Sequence, residues 1–144
     1  MSDQAQPTPS SEPAKAIYLA DYKAPGYTTD DTELHFDICD GKTTVSSTLH
    51  VRRQDNDAHS IELMGEELTL LSVAVDGRVL SSNEYEQTAR TLTILGLQAQ
   101  HQIQIVNEIC PEANTALEGL YRSSSMYCTK CEAEGFRKLT YYQD

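Results

Sequence analysis

Apolar and polar residues alternate with a period of two along the middle of this chain. The run 33–38 sets Leu34, Phe36 and Ile38 between polar residues, and the run 45–51 continues the alternation. Because successive side chains of a strand point to opposite faces of its sheet, this period predicts half-buried β-strands. No stretch holds the period of an amphipathic helix. The alternation therefore predicts an all-β fold.

Turn signals separate the alternating runs. Asp40-Gly41 and Asp76-Gly77 are dipeptides that accept the positive φ of a tight hairpin. Further strands are predicted at 68–75, 91–95 and 102–109, the last with a slip in its alternation before Ile109. Turn signals about ten residues apart are typical of a β-sandwich or a curved antiparallel sheet.

The regular alternation stops at Pro111. Three serines at 123–125 predict a loop, and the aromatic segment 136–142 (FRKLTYY) is β-prone. This segment ends two residues before Asp144. Since domains usually end more gradually, we expect the chain to be truncated before a further domain.

The first sixteen residues differ in composition from the rest. Residues 1–16 contain three prolines and, apart from Met1, no apolar residue larger than alanine. Such a segment buries too little surface to offset its chain entropy, so we predict a disordered tail at 1–16 and one β-rich domain at 17–144. The tail lacks the basic start and apolar run of a signal peptide. No window approaches the ~18 apolar residues of a membrane span, so we predict a cytoplasmic protein without one.

The charge balance is strongly acidic. The chain has 22 Asp and Glu against 11 Lys and Arg, which gives a net charge of −11. Nucleic-acid binding requires basic residues that neutralise phosphates, so this balance argues against a nucleic-acid partner. It suits a cationic ligand, although acidity also simply maintains solubility.

Cys128 and Cys131 form a Cys-x-x-Cys pair that has three interpretations. Two thiolates supply half of the ligands of a structural zinc site, but no second pair is present at a matching spacing. A thioredoxin-like redox pair needs a helix start in a βαβ setting. Buried or incidental thiols are the interpretation that we favour. Cys39 and Cys110 are also expected to be structural, and all four thiols to be reduced.

Glu132 and Glu134 lie two residues apart, so on a strand they would face the same side. Together they would bind a metal ion or an ammonium group; the alternative is a pair of solvated acids near Arg137 and Lys138. A single desolvated carboxylate also recognises an amine through a charge-assisted hydrogen bond. The sequence contains no His-Glu-x-x-His, glycine-rich phosphate loop or Gly-x-Ser-x-Gly motif. We therefore predict no catalytic residue and no metal ligand in this chain.

Two blocks near the end of the chain carry a resemblance to a known family. Residues 114–121 read NTALEGLY, and residues 128–137 read CTKCEAEGFR. Shorter support comes from DYKAPGY at 21–27, GEEL at 65–68 and VNEI at 106–109. Over roughly residues 18–144 the chain resembles the N-terminal domain of bacterial aminopeptidase N, of the zinc-dependent gluzincin aminopeptidases.

The resemblance implies a saddle-like β-rich domain that packs on a thermolysin-like catalytic domain of the same polypeptide. The zinc of the full-length enzyme and its general base would lie in that other domain, so this chain would hold no cofactor and be inactive alone. By match to the Cys-x-x-Cys-Glu block, Glu132 would bind the free α-amine at a peptide N-terminus. Family members often have glutamine where this chain has Lys130, near the first side-chain pocket, so Lys130 is a second candidate for substrate contact.

Two other functions remain open from the sequence. One is a stand-alone β-sandwich module that acts by binding, for example to a peptide N-terminus. The other is a small metal or redox protein that uses Cys128 and Cys131.

Overall fold

The computed structural model describes residues 15–144. The disordered tail predicted at 1–16 falls, except for Lys15 and Ala16, outside the described residues. The strands in chain order are β1 (Tyr27–Cys39), β2 (Lys42–Arg53), β3 (Ile61–Met64), β4 (Thr69–Val75), β5 (Arg78–Val79), β6 (Tyr85–Gln87), β7 (Thr91–Ile94), β8 (Gln100–Ile109), β9 (Gly119–Ser123) and β10 (Met126–Lys130). Short 3₁₀ turns lie at Leu19–Asp21, Pro111–Ala113 and Gly135–Lys138. Within residues 15–144, no helix has the length and apolar character needed to cross a membrane.

The larger sheet has five strands in the order β1-β2-β8-β4-β5, with every neighbouring pair antiparallel. Both predicted hairpins are confirmed. Cys39 pairs with Lys42 around Asp40-Gly41, and Val75 pairs with Arg78 around Asp76-Gly77. The glycines of these turns have φ of 87° and 81°, a conformation that glycine adopts without a steric penalty.

A second sheet of three strands, in the order β3-β7-β6, packs on the larger one. Their inner faces form a single apolar core, whose buried members include Leu49, Val51, Ile61, Leu63, Val73, Leu92, Ile94, Ile103 and Ile105. The members on each strand are separated by one outward-facing residue, as the period of two predicts. The all-β antiparallel sandwich is therefore confirmed.

Strand β1 is less buried than its sequence predicts. It lies at an edge of the larger sheet. Leu34 and Ile38 remain 37% and 44% exposed. Of this strand, only Tyr27 belongs to the main core, and Phe36 packs against a smaller cluster. The alternation of β1 is real, but apart from Tyr27 its residues lie outside the main core.

Strand β8 has no slip before Ile109, so that prediction is wrong. Its pairing with β2 runs without a register shift, and Asn107 faces the interior with Ile105 and Ile109. Asn107 Nδ2 donates a hydrogen bond of 3.0 Å to the carbonyl of Leu139, and its Oδ1 accepts one of 2.8 Å from the hydroxyl of Thr140. In the sequence, an asparagine at a buried position interrupts the run of apolar residues and so resembles a break in the alternation. The partners that satisfy its side chain are distant in sequence, so the pattern does not reveal them.

The chain after β8 forms a separate hairpin and then returns to the sandwich. Strands β9 and β10 pair around Ser124 and Ser125, so two of the three serines predicted to form a loop lie in the turn, whereas Ser123 is the last residue of β9. A second apolar cluster centres on Val45, Ile109, Leu120 and Leu139. The returning segment ends beside β3, where Tyr142 and Met64 exchange backbone hydrogen bonds of 2.7 and 3.1 Å.

Three groups of segments differ from the sequence predictions. The sequence pattern does not predict β3 (IELM) or β6 (YEQ), which are short strands of four and three residues. Strands β9 and β10 were not predicted either, since their apolar residues do not alternate regularly. The β-prone segment 136–142 is not a strand: it begins within the 3₁₀ turn Gly135–Lys138, and only Tyr142 makes a β-bridge.

Candidate functional site

A short turn, residues 131–135, follows β10 and carries the predicted site residue Glu132. The N–H of Gly135 donates a hydrogen bond of 3.0 Å to the carbonyl of Cys131, which closes the turn. The peptide bond between Glu132 and Ala133 is cis. The turn is thus a compact, hydrogen-bonded loop directly after the hairpin.

Two glycines allow this turn to lie against the hairpin. A Cβ at Gly135 would overlap the carbonyl oxygen of Lys130, the last residue of β10. Gly119, the first residue of β9, has φ of 73°, and a Cβ there would lie 2.9 Å from the Cβ of Lys138. A side chain at either position would push the two segments apart. Close backbone contact therefore fixes the turn against one end of the hairpin.

The prediction that Glu132 and Glu134 share one face of a strand is wrong, because both lie on the turn. The two carboxylates also differ in their surroundings. Oε2 of Glu134 lies 3.5 Å from the guanidinium of Arg137. The side chain of Glu132 is exposed and forms no hydrogen bond or ion pair with any residue in 15–144. Of the two acids, Glu132 is the one available to a ligand.

Arg137 joins the turn to the neighbouring sheet. Its side chain is only 14% exposed, and its guanidinium contacts Glu134, Asp144 and, at 4.0 Å, Glu66. The carbonyl of Arg137 accepts a hydrogen bond of 2.9 Å from the N–H of Glu66. Glu66 also pairs with Arg90 at 3.4 Å. A network of this kind holds its members more firmly than a single surface ion pair does.

The two lysines near the turn have different roles. Lys138 is 13% exposed, and its ammonium lies 3.4 Å from Glu118 and 3.8 Å from Glu67. Lys130 is exposed and has no ion pair with residues 15–144. It lies opposite Gly119 in the β9–β10 register, so no cross-strand side chain covers it. Lys130 and Glu132, the two predicted substrate-binding residues, are thus both exposed, lie two residues apart in the chain, and have no ion pair with any residue in 15–144.

The four cysteines are free thiols. Cys128 and Cys131 are free and partly buried, and Cys131 packs against the second apolar cluster. Cys39 and Cys110, predicted to be structural, are free and exposed. Among residues 15–144, no three Cys, His, Asp or Glu side chains come together as ligands for a metal ion.

A polar pair that the sequence did not predict lies at the opposite end of β8. Nδ1 of His101 is 2.6 Å from a carboxylate oxygen of Asp76, and Nε2 accepts a hydrogen bond of 2.7 Å from the N–H of Gln98. With Nε2 as the acceptor, Nδ1 is the ring nitrogen that donates to Asp76. The hydrogen bond from the N–H of Gln102, and then that from His101, lowers the pKa of Asp76. The Asp76-Gly77 signal predicts the hairpin there but contains no information about this pairing.

Comparison with known proteins identifies relatives over most of the chain. Over 130 residues it is 42% identical to the aminopeptidases N of Caulobacter vibrioides and Escherichia coli. Over 132 residues it is 37% identical to that of Haemophilus influenzae. These matches cover 90–91% of this chain, which spans 15% of the length of each relative. No family model matches the chain.

Solved structures share the fold described above. The crystal structure of Legionella pneumophila aminopeptidase A in complex with aspartic acid matches with a TM-score of 0.79 and 29% identity, over 86% of this chain and 15% of that one. An M1 zinc metallopeptidase from Deinococcus radiodurans matches with a TM-score of 0.65 over 81% of this chain and 29% of that one. At 16% identity, the second match shows the fold alone.

Proposed function

Because this chain belongs to the aminopeptidase N family and matches its N-terminal domain, we propose that Glu132 binds the free α-ammonium group of a peptide substrate. The chain is then the amine-recognising part of a zinc aminopeptidase that releases N-terminal amino acids from peptides. One observation carries the proposal. From residue 111 to 144, Glu132 is the one carboxylate that has no cationic partner within the described structure.

Capture of the ammonium group explains how an exopeptidase finds the end of its substrate. A carboxylate at a fixed position binds the amine and sets the distance to the first peptide bond. An internal peptide segment has no ammonium group and leaves the carboxylate without a partner, which disfavours its binding. The contacts of Gly135 and the ion pairs of Arg137 hold the turn of Glu132 in place. A carboxylate that sets the distance to the first peptide bond needs such support, because its own position must be fixed.

We further propose that a catalytic domain of the same polypeptide packs on this domain and holds the zinc ion. The relatives are far longer than this chain, and the Legionella relative was crystallised with aspartic acid, itself an α-amino acid. Ile17 and Leu19 are 96% and 90% exposed, and apolar side chains of this kind are typical of an interface. The four free thiols are compatible with the reducing conditions of the cytoplasm.

The test uses the complete polypeptide that contains this chain. We expect Glu132→Gln to lower kcat/KM for alanyl-p-nitroanilide by roughly ten- to a hundredfold, since a hydrogen bond to a charged group contributes about 1.5–3 kcal/mol. The matched control is Glu134→Gln, which removes an acid that already has a partner on the same turn. We expect it to change kcat/KM by no more than about threefold.

Two results would contradict the proposal. An unchanged kcat/KM in Glu132→Gln would remove Glu132 from the site. Absence of hydrolysis by the complete polypeptide would favour a stand-alone binding module instead. The 144-residue chain by itself is expected to hydrolyse nothing, and turnover that persists through further purification would contradict this expectation.

A further inference from the structure

The segment from Pro111 to Asp144 pairs nearly all of its charges internally. Its paired acids are Glu112, Glu118, Glu134 and Asp144, and its paired bases are Arg122, Arg137 and Lys138. Within this segment, Glu132 and Lys130 alone have no ion pair to any described residue. They are two residues apart, one negative and one positive, and they do not pair with each other.

The position of Lys130 leaves its ammonium group open to a ligand. It is the last residue of β10, and its cross-strand neighbour is Gly119, which has no side chain. Its backbone is fixed, because its carbonyl oxygen lies against Gly135. An exposed lysine on a fixed backbone, two residues from an exposed glutamate, offers a ligand two opposite charges within one short segment.

We propose that Lys130 makes the substrate site selective for peptides whose N-terminal residue is aspartate or glutamate. This inference rests on the proposed function, in which Glu132 binds the α-ammonium group. An acidic N-terminal residue carries a carboxylate a few bonds from that ammonium group. Its ammonium would pair with Glu132 while its side-chain carboxylate pairs with Lys130.

Charge balance gives the physical reason for this preference. With a neutral N-terminal residue, Glu132 neutralises the α-ammonium group and Lys130 keeps an uncompensated positive charge. A closed binding site makes such a charge costly, because it is removed from water without a partner. An acidic side chain restores neutrality, whereas a basic side chain adds a second like charge. The order of preference is therefore acidic, then neutral, then basic.

The overall charge of the chain acts in the opposite direction. At −11, the chain repels acidic peptides at long range, so general electrostatic attraction does not produce the preference. The preference is a short-range effect of one lysine. Replacement of that lysine should therefore change selectivity without changing the fold or the capture of the amine.

The experiment compares aspartyl-, glutamyl-, alanyl- and lysyl-p-nitroanilide with the complete polypeptide. We expect Lys130→Gln to lower the aspartyl-to-alanyl ratio of kcat/KM about tenfold, because aspartyl hydrolysis loses its charge partner and alanyl hydrolysis no longer leaves a lysine uncompensated. Lys130→Glu should shift the preference towards the lysyl substrate. Lys130→Arg should retain the acidic preference, because it keeps the positive charge. The matched control is Lys42→Gln, which removes a surface lysine of β2 and should leave the ratio unchanged.

The outcomes separate this inference from the function on which it rests. Glu132→Gln should lower kcat/KM for all four substrates. If it does so while Lys130→Gln changes the aspartyl-to-alanyl ratio by less than about twofold, the selectivity inference is wrong and amine capture stands. If Glu132→Gln has no effect on any substrate, amine capture fails and the inference fails with it.

Discussion

The sandwich core and the turn at 131–135 are stabilised in different ways. The core joins apolar side chains of two sheets, with Ile105 and Leu92 fully buried between them. The turn is held instead by backbone contact at Gly135 and by the ion pairs of Arg137. The core therefore requires apolar volume, and the turn requires the absence of a side chain and a balance of charge. Substitutions should separate the stability of the domain from the geometry of its site.

The largest effect should come from the core. Ile105→Ala removes a fully buried side chain from β8, and we expect it to lower the free energy of unfolding by about 2–5 kcal/mol. Urea denaturation of the folded domain measures the change. Leu71→Ala on the neighbouring strand is the control, because Leu71 is 50% exposed, and we expect a loss below about 1 kcal/mol. Equal losses would show that burial does not distinguish the two positions.

A smaller global effect with a local consequence is expected at the turn. Gly135→Ala places a methyl group against the carbonyl of Lys130, and overpacking of this kind costs about 1–3 kcal/mol. The accompanying changes in amide chemical shifts should concentrate in residues 130–138. Ala133→Ser, on an exposed residue of the same turn, should leave both the stability and the spectrum nearly unchanged. Shift changes spread across the core strands would contradict the separation of the two regions.

The smallest effect should be a pH dependence away from both regions. Arg78, followed by the N–H of Ser81, lowers the pKa of Glu84 from 4.5 to about 2. A carboxyl group with a lowered folded pKa contributes stability that is fully present above pH 4.5 and is lost as the pH falls towards about 2. Arg78→Gln should reduce the slope of stability against pH in that window. The effect should shrink at high salt, because the pair is exposed to solvent. An unchanged slope would exclude a contribution from Arg78.

The same contrast explains what the sequence predicts. The alternation in β2 predicts its buried face, because a residue such as Leu49 or Val51 needs only burial to find its place. The turn dipeptides predict their hairpins because they encode a local backbone conformation. The position of Glu132 is not predictable in this way, since it depends on contacts between Gly135 and β10 and between Arg137 and Glu66. The motif resemblance singles out the residue, but only the structure distinguishes the available Glu132 from the paired Glu134.

The contact between the two ends of the described chain has a consequence for synthesis. Gln143 donates a hydrogen bond of 2.7 Å from Nε2 to the carbonyl of Tyr27, and Tyr142 bridges to Met64. On a ribosome, Gln143 emerges 116 residues after Tyr27, its partner at the start of β1. The larger sheet likewise lacks β8, the strand between β2 and β4, until residue 109 is available. The nascent domain must therefore keep its apolar strands uncovered while most of it is translated, which makes this interval its period of greatest exposure to chaperones and to aggregation.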